Sequence, residues 1–90
     1  MSHELNTITF HIYRATSVPA GMNTESATRH IFENGEMAYE ACGIVDALDY
    51  INAKGFANTI VKFTPAQGHM TLEGNIFKVW ATRMSRLVNA

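Results

Sequence analysis

Ninety residues, 47% of them apolar and 17% charged, suffice for one domain spanning residues 1–90 around one hydrophobic core and are too apolar for a disordered chain. No run approaches the roughly 20 apolar residues that cross a bilayer, the one cysteine, Cys42, forbids an intrachain disulfide, and the polar opening Met1 to Asn6 lacks a secretory pattern, so a soluble cytoplasmic protein is expected. Residues 1–45 set two arginines against five glutamates (−3) while residues 46–90 set five basic against three acidic side chains (+2), and the pI of 6.4 falls short of the roughly 9 or more of a dedicated nucleic-acid binder.

From Thr7 to Ala15, Ile8, Phe10 and Ile12 alternate with Thr9, His11 and Tyr13. Period two in β-forming residues predicts a strand with one buried face. Ser17 to Ser26 holds Pro19, Gly21 and Asn23 without periodicity and reads as the longest loop. Within Thr28 to Ala41 the dipeptide Asn34-Gly35 supplies the positive φ angles of a type I′ turn, so a hairpin is expected. Its register pairs Phe32 with Met37, His30 with Tyr39 and Arg29 with Glu40, and leaves Glu33 opposite Glu36 at the tip.

Gly43 to Lys54 spaces Ile44, Ala47, Leu48 and Ile51 as one face of a helix, with Asp46 and Asp49 early and Lys54 late, as the helix dipole favours. Gly55 suits a left-handed stop, with Phe56 turned back on Ile51 in a Schellman ending. A strand over Asn58 to Thr64 then ends at Pro65. Gly74-Asn75 predicts a type II′ turn that pairs Leu72 with Phe77, Met70 with Val79 and His69 with Trp80. The tail, Met84 to Ala90, is too short to classify.

The order strand, hairpin, helix, strand, hairpin implies an α+β fold: an antiparallel sheet of about five or six strands (β-β-β-α-β-β-β) with one helix on one face. A helix of about 12 residues is about 18 Å long and leaves the second face uncovered. On that face the hairpin reading gathers His69, Thr71, Ile76, Lys78 and Trp80, with Trp80 and Ile76 as anchors for a partner. Lys62, Tyr13 and His11 complete the expected binding set. The alternative is that Leu87 and Val88 of the tail, or the long loop, bury Trp80.

Four histidines do not make a metal site, because no His-x-x-x-His or Cys-x-x-Cys spacing occurs. Cys42 reads as a small buried group without the nearby base or cation that makes a thiol reactive. Glu33, Glu36 and Glu40 cluster on an expected solvated face, which does not suit them to acid catalysis. With Gly35, Gly43, Gly55, Gly68 and Gly74 explained by turns or helix ends, no phosphate loop remains. No catalytic residues, metal or cofactor are expected, and the chain reads as non-enzymatic.

The segments ENGEMAYEACGIVDALDYINAKGF, NTIVKF and HMTLEGNIFKVW together resemble the sheet-plus-one-helix layout of small phage-encoded anti-CRISPR proteins. That resemblance implies an inhibitor that docks on a bacterial CRISPR surveillance complex, a larger protein or ribonucleoprotein assembly, in the host cytoplasm and blocks target DNA recognition or nuclease recruitment. The chain is expected to be a monomer or homodimer with no direct contact to nucleic acid. Two other classes stay open: a single-stranded nucleic-acid binder stacking bases on Tyr13, Trp80 and His11 with Lys62, Lys78 and Arg83 on phosphates, and a homo-oligomer that buries the second face against its own copy.

Overall fold

The computed structural model describes residues 4–66 and 68–88, so the polar opening and the tail lie partly outside the described residues. After a short 3-10 turn at Glu4–Asn6, the chain forms β1 (Thr9–Arg14), α1 (Thr24–Asn34), β2 (Glu36–Cys42), α2 (Ile44–Lys54), β3 (Thr59–Phe63), β4 (Met70–Glu73) and α3 (Gly74–Val88). The strands make one sheet in the order β2-β1-β3-β4, antiparallel throughout. The fold is α+β, but among the described residues four strands and three helices replace the five or six strands and one helix expected.

Both errors have one cause. Glycine beside asparagine serves a helix-strand junction as well as a hairpin. Gly35 has φ −88° and ψ 180°, extended rather than positive, and its N–H donates to the Ile31 carbonyl to close the last turn of α1. Asn34 Nδ2 donates to the His30 carbonyl at 3.0 Å. The helix begins at Asn23, whose side chain accepts from the Ser26 N–H at 2.8 Å, with Glu25 in the first turn. The pairings Phe32–Met37, His30–Tyr39 and Arg29–Glu40 therefore do not form. Likewise Gly74-Asn75 opens α3, where the Glu73 carboxylate accepts from the Asn75 N–H. Phe77 and Ala81 of α3 are buried, with Trp80 and Met84 packed beside them. That spacing is helical, not that of a strand.

The alternation in β1 sorts the layers. Phe10 and Ile12 join Ala41, Val61 and Phe63 beneath Ile44, Ala47, Leu48 and Ile51 of α2 and Phe77 and Ala81 of α3. Phe63 and Phe77 both contact Phe10, with ring centroids 4.6 and 5.8 Å away. On the opposite face α1 packs over β3, β1 and β4, where Ile31 meets Ala15 and Ile60. The helix Ile44–Lys54 and the strand Thr59–Phe63 stand within a residue or two of expectation. Gly55 ends α2 with positive φ (86°), but its ψ of 167° is not the left-handed pair of a Schellman ending. Arg14 fastens this corner, donating to the carbonyls of Gly55 (2.9 Å) and Ala57 (3.2 Å).

Candidate functional site: the open half of the second sheet face

Residues paired across a sheet point to the same side, so the register defines the second face. One row runs Glu40 of β2, His11 of β1, Lys62 of β3, Thr71 of β4. A second joins Met37, Tyr13, Ile60 and Glu73, with Ala38 bulged out of β2 where the register shifts. At one end of β1, Thr9 lies opposite Cys42. The helix α1, 11 residues long, covers Ile60 and part of Tyr13 and leaves the rest of the face open.

Two concavities meet at Lys62. The larger, about 550 Å³, is lined by Thr7, Ile8, Thr9, His11, Tyr13, Lys62, Phe63, Thr64 and His69. The smaller, about 220 Å³, lies against α1 and is lined by Glu25, Thr28, Arg29, Phe32, Lys62 and Thr71. Phe32 stands between them: its ring meets Tyr13 edge-on at 5.3 Å, and Lys62 Nζ lies 4.8 Å from its centroid. His69 Nδ1 is 3.4 Å from Thr64 Oγ1. The face thus offers an ammonium, two imidazoles and several hydroxyls beside aromatic rings. It can donate hydrogen bonds and stack.

Of the expected binding set, His11, Tyr13, Lys62 and His69 come together here. Trp80, Ile76 and Lys78 do not, because they belong to α3 in the other layer. Trp80 is half-buried, its ring 5.2 Å from Phe63 and 6.0 Å from Phe77. The core covers it in part; Leu87 of the expected tail cover is 58% exposed, and the side chain of Val88 lies outside the described residues. Ile76 is exposed, and Lys78 Nζ lies 5.6 Å from the centroid of Phe56. Cys42 is exposed rather than buried. Among the described residues no three His, Cys, Asp or Glu side chains converge as metal ligands.

Sequence reasoning missed Phe32 and Glu40 as parts of this face, because the hairpin register paired them elsewhere. It also missed Asp46. That carboxylate accepts from the Tyr39 hydroxyl and from the Cys42 N–H, both at 2.9 Å, and Tyr39 stacks on Tyr50 at 4.5 Å and 3°. The bond to the carboxylate favours the neutral phenol and raises the pKa of Tyr39 above its ordinary value. With a glycine at the N-cap of α2, Asp46 supplies the anchoring that the cap residue lacks. An acidic residue three places into a helix that starts on glycine was the signal available. Among the described residues no helix is long and apolar enough to cross a membrane. Compared with protein-family models, curated proteins and solved structures, the chain matches none of them.

Proposed function

We propose that this chain is a non-enzymatic binding module that docks on a larger protein or ribonucleoprotein assembly through the open half of its second sheet face. The observation that carries the reading is the incomplete cover of that face: α1 leaves His11, Tyr13, Lys62 and His69 lining one concavity, with Phe32, 45% exposed, against Tyr13 and Lys62, and Met37, 49% exposed, opposite Tyr13 in the neighbouring strand. Aromatic and methionine side chains ringed by polar groups are the composition of a binding patch. The specific partner of this proposal, a bacterial CRISPR surveillance complex whose target recognition or nuclease recruitment the bound module blocks, comes from the sequence resemblance to anti-CRISPR proteins alone; the one-helix layout on which that resemblance rests is replaced by three helices among the described residues.

The test is affinity capture from a bacterial lysate followed by mass spectrometry, with wild type beside a folded Tyr13→Ala/Lys62→Met variant. Enrichment of surveillance-complex subunits by the wild type alone supports the reading. Equal enrichment by both removes the open face, and enrichment by neither removes the partner.

A second reading has its own observation. His11, Tyr13 and Lys62, three of the six residues expected to hold a single strand, share one face. Against it, Trp80, Lys78 and Arg83 are carried by α3. Salt-sensitive binding of a short oligonucleotide, lost in Tyr13→Ala, would favour it over protein docking.

A further inference from the structure

Lys62 is a charge without an ion-pair partner among the described residues. It is half-buried at the centre of the sheet, yet the ion pair found among the described residues is Arg29–Glu25 at 3.9 Å, on α1. The carboxylate of the smaller concavity, Glu25, belongs to that pair. Glu40, the acidic side chain of the row that holds Lys62, is one strand farther away, opposite His11. The partner of Lys62 is an aromatic ring, Phe32. Partial burial makes an ammonium costly unless an anion or several acceptors face it.

The larger concavity supplies the remaining donors of an anion site. Besides Lys62 its polar side chains are imidazole and hydroxyl: His11 and His69, Thr9 and Thr64, the Tyr13 phenol, and Thr7, whose hydroxyl donates to the Glu4 carbonyl. Among the described residues no carboxylate lines it. At about 550 Å³ it falls in the range of small-molecule sites, roughly 300 to 1,000 Å³, and is large for a bare ion. We propose that it binds the phosphoryl group of a small phosphorylated ligand, with Lys62 as counter-charge, His11 and His69 as flanking donors, and Tyr13 against the remainder of the ligand. This goes beyond the docking reading. It concerns the isolated chain and stands or falls without a macromolecular partner.

The experiment is a titration of the ¹⁵N-labelled full chain, followed by amide and imidazole shifts, with inorganic phosphate, ribose 5-phosphate, sodium chloride at matched ionic strength, and a short single-stranded oligonucleotide. Saturable shifts at Thr9, His11, Lys62, Thr64 and His69 are expected, with a Kd on the order of 1 mM or tighter for the phosphate monoester. Ribose 5-phosphate should bind more tightly than free phosphate, and chloride should reproduce none of it. Lys62→Met, which keeps the aliphatic stem, should weaken binding roughly 10- to 100-fold, and Lys62→Arg should retain most of it. Unchanged far-ultraviolet dichroism in Lys62→Met excludes misfolding. Absence of saturation by about 50 mM phosphate monoester, or equal binding by Lys62→Met, would overturn the proposal. Tighter binding of the oligonucleotide than of the monoester would overturn it in favour of a nucleic-acid strand. Failure here with intact capture of a macromolecular partner refutes the phosphoryl site alone.

Discussion

Phe77 and Val79 stand two residues apart, and replacing each with alanine separates a helix from a strand at this position. In a hairpin turning at Gly74-Asn75 both would lie on the same apolar face. In α3 they diverge: Phe77 is fully buried and Val79 is 58% exposed. Phe77 packs against Phe10, Phe63 and Trp80 at centroid distances of 5.8, 6.5 and 6.0 Å. Removing a fully buried phenyl ring costs roughly 3 to 5 kcal/mol including the cavity. The better helix propensity of alanine returns about 0.5 kcal/mol. A net loss of about 3 to 4 kcal/mol is a large share of the roughly 5 to 10 kcal/mol expected of a chain this size. It should lower Tm by roughly 15 to 25 °C. Val79→Ala should stay within about 0.5 kcal/mol of wild type. Urea denaturation followed by dichroism and by the fluorescence of Trp80, the one tryptophan, reads both. A loss near 2 kcal/mol in Val79→Ala, as a buried valine would give, would refute the helical packing.

Further outcomes follow from the same packing. Gly35→Ala should destabilise by about 1 to 3 kcal/mol in a thermal melt, because a Cβ there would lie 2.5 Å from the Ile31 carbonyl oxygen and 2.7 Å from that of Arg14, both backbone atoms. The Tyr39 phenol should titrate above the ordinary value of about 10, and Asp46→Asn should bring it down, as read by absorbance of the phenolate. Since the folded pKa is the raised one, the stability from this bond is fully present below about pH 10 and fades as pH rises through the folded value. Cys42, exposed at the end of β2, should react with a thiol reagent in the native state as fast as in denaturant. A lag removed only by unfolding would contradict its exposure.

Legibility in the sequence followed local periodicity. Thr9, His11 and Tyr13 were readable as one face of a strand because period two needs no partner to be seen, and Ile44 to Ile51 were readable as a helix stripe ending at glycine. The two remaining helices were hidden by turn dipeptides, Asn34-Gly35 and Gly74-Asn75. Their own signals were present: Asn23 as a cap with Glu25 behind it, and Phe77, Trp80, Ala81 and Met84 at helical spacing. Dipeptide chemistry is compatible with a tight turn and with a helix end, and tertiary packing decides between them. The open face was half legible. His11, Tyr13 and Lys62 follow from strand alternation, whereas His69 was reached through a hairpin register that does not form and stands just before β4, and Phe32 reaches the face from α1, through a contact that no local pattern encodes.

The most direct test of the open face as a docking surface is the affinity of the purified chain for a purified CRISPR surveillance complex, compared between Tyr13→Ala/Lys62→Met and Ile76→Glu/Val79→Glu, the latter pair on the outer side of α3. Removing two central contacts should weaken binding by roughly 30-fold or more, while the α3 variant should bind within about twofold of wild type. Loss of binding in the α3 variant with retention in the open-face variant would contradict the assignment, and so would the absence of measurable binding by the wild type.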